Sequence, residues 1–217
     1  MYKTEQEEFW AGVEGANYID RNSSPQQLYS KIAMWSNILR SANSIRSIRE
    51  LGCNIGLNLI AIKKLCPEVS LSGYEINEKA IEKAKEANVA DIHRGSILDP
   101  INEAPVDLTF TSGVLIHINP NFLSNVYDNL VGGSNRYVLV SEYYNPTPTK
   151  VRYRGCEDRL FKRDFAGDLI DNYNLKFVDY GFIYRRDKWA PQDDVSCSCL
   201  KNRFQILILL IIEGFSN

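Results

Sequence analysis

Glu50-Leu51-Gly52-Cys53-Asn54-Ile55-Gly56-Leu57-Asn58 joins an apolar-leaning run at 45–48 to an amphipathic one carrying Leu59, Ile60, Ile62 and Leu65. The pattern predicts a strand, a tight glycine turn and a helix. Glycine lacks a Cβ and tolerates positive φ, so the backbone at such a turn can approach a nucleotide-like ligand closely. A dinucleotide site needs Gly-x-Gly-x-x-Gly. Here Gly52 and Gly56 are separated by three residues, and Asn54 and Leu57 stand at the other two glycine positions, which argues against a dinucleotide. The run 69–74 reads as the next strand. Glu75 closes it about 20 residues past the turn, where a carboxylate meets ribose hydroxyls.

Bulk properties narrow the class. A chain of 217 residues is most simply one domain with a full core. Its net charge is −2 with both signs interspersed, which excludes a global basic field for nucleic acid. The N-terminal stretch 3–8 is polar and acidic, without the pattern of a secretory signal, so a cytoplasmic location is expected. The apolar run 204–212 is too short to cross a bilayer and suits a buried strand, so no membrane partner is expected. Five scattered cysteines, Cys53, Cys66, Cys156, Cys197 and Cys199, fit reduced thiols better than a disulfide framework. Cys197-Ser198-Cys199 has neither a second cysteine pair nor a histidine pair nearby, so no metal site is expected. Oligomeric state is left open.

Upstream of the turn, Leu28, Ile32, Trp35, Ile38 and Leu39 recur at helical spacing over 26–40. Pro25 stands in the first turn and Ser23 or Ser24 can cap it. Then come a strand at 45–51, helix 57–65, strand 69–74, helix 77–87, strand 91–94, strand 106–111, helix 120–130 and strand 137–142. Such alternation predicts a mostly parallel sheet with helices on both faces. A helix at 164–173, a strand at 175–184 and the run 204–212 follow, and the last two can form an antiparallel edge. The chain divides into N-terminal helices or lid (1–44), a core (45–142), and a substrate segment with C-terminal strands (143–217).

Several segments carry a resemblance. Glu50, Gly52, Asn54 and Gly56 resemble the first motif of class I S-adenosylmethionine-dependent methyltransferases, with one glycine replaced. Thr4-Glu5-Gln6-Glu7-Glu8-Phe9-Trp10-Ala11-Gly12, Tyr18-Ile19-Asp20-Arg21-Asn22, Ser141-Glu142-Tyr143-Tyr144-Asn145-Pro146, Tyr153-Arg154-Gly155 and Asp158-Arg159-Leu160-Phe161-Lys162-Arg163-Asp164-Phe165-Ala166-Gly167 are similar to the pseudaminic acid biosynthesis-associated methylases. That similarity covers roughly residues 1–194. It implies a Rossmann-like, seven-stranded α/β fold and S-adenosyl-L-methionine as cofactor. It also implies that Glu50, Gly52, Asn54 and Gly56 line the methionine moiety, Glu75 the ribose, and Ser96 with Ile97 the adenine. Asn77, Ser112 and Tyr18 complete the cofactor set. Ser96 replaces a common aspartate, Cys156 a histidine, and Ser196 to Arg203 an aromatic-rich last strand, which reads as an altered or frameshifted C-terminus.

Methyl transfer from a sulfonium is an in-line displacement, so the protein must align donor and acceptor and remove a proton where the acceptor carries one. His117, after the strand 106–111, has a near-neutral ordinary pKa and suits a general base; it suits equally a helix cap or a backbone hydrogen bond. His93 reads as structural. Glu142 ends the next strand and can take the acceptor's proton or orient a hydroxyl. Tyr143, Tyr144 and Asn145 suit sugar recognition, or packing. Arg154 and Arg159 suit an acidic or nucleotide-activated sugar, or a solvated face paired with Glu157, Asp158 and Asp164. Phe9, Trp10, Tyr18, Arg21 and Asn22 form either a lid, with Tyr18 or Arg21 near the cofactor's carboxylate and Arg21 reaching substrate, or an apolar staple on the sheet. The function expected is methyl transfer to a small, sugar-derived acceptor in nonulosonic acid or surface-glycan synthesis. The alternatives are a noncatalytic S-adenosylmethionine-binding protein of a glycan-assembly complex and a nicotinamide-dependent oxidoreductase or epimerase.

Overall fold

The computed structural model of the chain describes residues 2–22, 24–153, 155 and 158–202. Three helices lead in: α1 (Glu5–Ala11), α2 (Val13–Arg21) and α3 (Pro25–Ile38). Ser24 caps α3 with a full capping box, its Oγ accepting from Gln27 N and its N–H donating to Gln27 Oε1. Then come β1 (Ser47–Leu51), α4 (Leu57–Leu65), β2 (Ser70–Glu75), α5 (Glu78–Glu86), β3 (Asp91–Arg94), β4 (Val106–Ser112), α6 (Leu123–Gly132) and β5 (Ser134–Glu142). The short strands β6 (Thr149–Lys150) and β7 (Phe161–Lys162) pair with each other, and α7 (Phe165–Tyr173), β8 (Lys176–Ile183) and β9 (Val195–Lys201) close the described chain.

The seven-stranded sheet has the order β3-β2-β1-β4-β5-β9-β8. Its first five strands are parallel, and β9 runs antiparallel to both β5 and β8. Strand order reverses between β1 and β4, which opens a crevice at their carboxyl ends. Two apolar layers sandwich the sheet. One gathers Trp35, Ile48, Leu59, Ile62, Phe110 and Leu139, with the Trp35 and Phe110 rings edge-on at 4.6 Å. The other gathers Leu51, Leu115, Val126, Leu130, Val138 and Leu169.

The last strand is a correction to the sequence reading. The run 204–212, expected there, lies outside the described residues, and 195–201 fills the place beside β5 instead. The Cys197-Ser198-Cys199 alternation is a strand pattern: both cysteines are buried against the α3–α4 layer, while Leu200 is buried on the other face. Small side chains in place of β-branched ones hid it. At this end of the sheet the edge strand is β8, with Tyr180 and Phe182 exposed at 76% and 64%. Among the described residues no helix is long and apolar enough to cross a membrane.

Candidate functional site

A cavity of about 600 Å³ opens at the carboxyl ends of β1, β2, β4 and β5, and the N-terminal helices and the loop after β8 complete its wall. Its floor is the glycine turn. Gly52 (φ +80°) and Gly56 (φ +75°) are left-handed, and a Cβ on Gly52 would stand 2.7 Å from Val114 Cγ2. Asn54 takes the missing glycine's place with φ +47°, which asparagine tolerates, and its Oδ1 accepts from Ile55 N at 2.6 Å. The turn therefore survives the substitution.

Three carboxylates sit at strand ends. Glu50 Oε1 accepts from Asn58 Nδ2 (2.6 Å), and Asn58 Oδ1 from Trp35 Nε1 (3.1 Å), while Glu50 Oε2 is buried with no partner. Burial pushes the Glu50 carboxyl up to about 8, although Asn58 and Lys31 act the other way. Lys31 lines the same cavity, and burial lowers its pKa against the attraction of Glu50 and Asp193. Glu75 also lines the cavity and accepts from Asn54 N (2.7 Å), Ile76 N (2.8 Å) and Asn77 N (2.9 Å). Its pKa is raised by burial, with those three bonds holding it back.

Glu142 is different. Its oxygens accept from the N–H groups of Val114 (3.0 Å), Leu115 (3.1 Å) and Ile116 (3.5 Å), and it does not line the cavity. The direct proton-accepting role expected of it gives way to a positioning one: Glu142 holds the Val114–His117 turn from beneath. Burial raises its pKa to about 7.

That turn presents His117 to the cavity, between the Trp10 ring (4.6 Å) and the Tyr153 ring (5.3 Å). The Arg159 carbonyl lies 2.8 Å from Nδ1 and can only accept, which assigns the proton to Nδ1 and the lone pair to Nε2. Burial lowers the His117 pKa to about 4, so the near-neutral base expected from sequence is corrected to a neutral imidazole that accepts hydrogen bonds.

Of the remaining residues singled out by sequence, Ile97, Ser112, Tyr18 and Tyr143 line the cavity. Burial and the facing Asp193 carboxylate push the Tyr143 hydroxyl up. Asn77 lines it too, but its side chain is committed elsewhere: Oδ1 caps α5 at Ala80 N, and Nδ2 donates to the carbonyls of Trp10, Ala11 and Gly12. Ser96 does not line it; its hydroxyl donates to Glu7 Oε1 and accepts from Leu98 N at 3.0 Å. Arg21, Tyr144, Asn145 and Arg159 stand outside the lining. Tyr144 is 53% exposed, Asn145 Nδ2 donates to Thr149 Oγ1 (3.0 Å), and the Arg159 guanidinium lies over the Phe9 ring at 4.1 Å. Arg154 and Cys156 fall outside the described residues.

Sequence reasoning missed Lys31, Asn58, Glu7, Gln6, Arg185, Gln192 and Asp193, all of which line the cavity. Lys31 left a signal: it stands three residues after Leu28 and four before Trp35, a lone charge on the apolar face of α3. The loop residues left none, because they reach the cavity through tertiary contacts. Gln192 Nε2 donates to Ser30 O (3.2 Å) and Gln26 Nε2 to Trp189 O (3.2 Å), tying the β8–β9 loop to α3.

Compared by sequence, the chain matches no family model and no curated protein. Compared by structure, it is similar to magnesium protoporphyrin IX methyltransferase (ChlM) from Synechocystis PCC 6803 with bound SAH. The TM-score is 0.70 at 12% identity, over 93% of this chain and 100% of that one. The plantazolicin methyltransferase BpumL in complex with SAH follows at TM-score 0.64 and 15% identity, covering 91% and 94%. The N-terminal domain of EvdMO1 with SAH bound gives TM-score 0.58 at 15% identity, covering 80% of each chain. The chain thus has the Rossmann-like class I methyltransferase fold, with its antiparallel pair at the sheet end.

Proposed function

We propose that this protein transfers a methyl group from S-adenosyl-L-methionine to a small, sugar-derived acceptor. The observation that carries the reading is the buried Glu50 oxygen left without a partner beside the glycine turn, in the same cavity as the Lys31 ammonium. An arriving ammonium would draw the buried Glu50 carboxyl to its charged form, and an arriving carboxylate would do the same for the Lys31 amine, so the pair suits the two charges of an amino acid, and Glu75 suits a ribose. Solved neighbours of the same fold hold SAM or SAH. When bound, the cofactor supplies an electrophilic methyl on a sulfonium.

This chain's residues then have separate tasks. Glu50 and Lys31 hold the amino-acid end, Gly52 and Gly56 let the backbone approach, and Glu75 accepts from ribose hydroxyls. Trp10, His117 and Tyr153 wall the reacting region with rings that exclude water, and the His117 Nε2 lone pair accepts a hydrogen bond from the acceptor. Tyr143, Asp193 and Arg185 offer the polar contacts a sugar needs. The sugar assignment draws on the likeness of the segments at 4–22 and 141–162 to pseudaminic acid-associated methylases, and on a fold neighbour, EvdMO1, described in the presence of SAH and D-fucose.

A second reading, a noncatalytic cofactor-binding scaffold, draws on the same correction that removes Glu142 from the cavity and weakens His117 as a base. Incubating the protein with S-adenosylmethionine and a panel of nonulosonic sugars and their nucleotide forms separates the two. Methylated sugar with stoichiometric S-adenosylhomocysteine supports transfer; tight S-adenosylhomocysteine binding without any product supports the scaffold. Binding of NAD in place of either would instead favour an oxidoreductase.

A further inference from the structure

Around His117 the cavity wall is aromatic. The Trp10 ring lies 4.6 Å away and the Tyr153 ring 5.3 Å, and Tyr18 meets Trp10 edge-on at 5.4 Å. Tyr143 adjoins Tyr18 and Tyr153 and turns its hydroxyl to the Asp193 carboxylate. Into this ring-lined region His117 offers a lone pair: Nδ1 donates its proton to the Arg159 carbonyl at 2.8 Å, so Nε2 accepts and does not donate. The cations nearby are engaged elsewhere. The Arg159 guanidinium lies over the Phe9 ring at 4.1 Å and outside the lining, Lys31 is drawn by Glu50 and Asp193, and Arg185 pairs with Asp194 at 3.4 Å. Aromatic faces, a lone pair and a carboxylate all attract N–H hydrogens and positive charge, and all repel an anion.

We infer that the acceptor presents an amine nitrogen to His117 Nε2, so that the methyl group goes to the nitrogen of an amino sugar and not to a hydroxyl or carboxylate oxygen. The inference rests on the reading of the protein as an S-adenosylmethionine-dependent methyltransferase, and adds the atom that is methylated. An ammonium first gives one proton to water. The amine lone pair then forms the N–C bond while the C–S bond breaks and its electron pair stays on sulfur. Positive charge passes from sulfur to nitrogen, and the methylated ammonium sheds its proton to water afterwards. No base is needed in that step. A hydroxyl oxygen must instead lose its proton as the methyl arrives, and the described residues here offer no group suited to take it. Glu142 is held beneath the Val114–His117 turn, burial makes His117 a weak base with a pKa near about 4, and Asp193 is shared between the Tyr143 hydroxyl and Lys31. His117 Nε2 accepts one N–H hydrogen and so orients the nitrogen, and the Trp10 and Tyr153 faces stabilise the charge that nitrogen gains.

The test has two readouts on the full chain, with glucosamine, glucose and glucuronate as probes. The first is nuclear magnetic resonance titration of each sugar into protein saturated with S-adenosylhomocysteine. Glucosamine should bind at least about tenfold more tightly than either of the others. His117→Phe keeps a ring and removes the lone pair, and should lose most of that preference. If His117→Phe does not fold, Asp193→Asn carries the same test, because it strips the carboxylate that draws an amine and must narrow the preference. The second readout is mass spectrometry of the sugars after incubation with S-adenosylmethionine, where a methyl group on the glucosamine nitrogen supports the assignment. A methyl group on any sugar oxygen, equal binding of the three sugars, or an unchanged preference in the folded variants overturns it while leaving the methyltransferase reading intact. Failure of the folded wild type to bind S-adenosylhomocysteine overturns both.

Discussion

Glu75 closes β2 and Glu142 closes β5, and each carboxylate accepts three backbone N–H bonds, yet Glu75 lines the cavity and Glu142 does not. The donors make the difference. Two of Glu75's come from the residues that follow it, so its carboxylate stays at the strand tip. All of Glu142's come from the loop after β4, some 26 to 28 residues upstream, which draws the side chain under that loop. A glutamate at the end of a parallel strand is thus one sequence signal with two outcomes, decided by which neighbouring turn has free N–H groups.

The largest effect expected from this contrast belongs to Glu142→Ala. It leaves two buried N–H groups and one half-buried one without their acceptor and should cost about 3 kcal/mol of stability in urea unfolding. S-adenosylhomocysteine affinity should change less than about threefold. A stable variant that loses affinity instead would return Glu142 to the cavity. Next is Gly52→Ala, where a left-handed backbone and a Cβ 2.7 Å from Val114 Cγ2 act together. It should cost about 2 kcal/mol and disturb the turn that Glu142 supports, which links the two regions through one contact. Loss of near-ultraviolet signal from the rings flanking His117 is the readout.

The smallest effect is in pH dependence, and its sign differs between residues. Glu142 has a folded pKa raised to about 7 from 4.5, so the folded state binds more protons than the unfolded across that window. Wild-type stability relative to Glu142→Gln should therefore fall as pH rises through it and level off above. His117 is the reverse, with a folded pKa lowered to about 4 from 6.5. Wild-type stability relative to His117→Gln should fall as pH drops from 6.5 toward 4. Urea titrations at several pH values read both slopes, and slopes of the same sign would contradict these environments.

Much of the fold was legible. The run 57–65 had a helical period and became α4, and the run 91–94 became β3, because periodicity and local turn chemistry decide such elements. The final strand was not legible, since Cys197 and Cys199 earn their places from both neighbours in the sheet rather than from propensity. At the site, Glu50, the glycines and Glu75 were readable because they stand at the carboxyl ends of two adjacent parallel strands and in the turn between β1 and α4. Glu7, Lys31 and Asp193 come from helices and a loop distant in sequence, so only packing brings them together.

The division of roles between Glu75 and Glu142 is tested by an equilibrium titration of S-adenosylhomocysteine into the wild type, Glu75→Ala and Glu142→Ala side by side, at a temperature where all are folded. The wild type should bind in the micromolar range, Glu75→Ala should weaken binding by about 1.5–3 kcal/mol, and Glu142→Ala should keep near-wild-type affinity. Equal affinity in Glu75→Ala, or no binding by the folded wild type, would contradict that division.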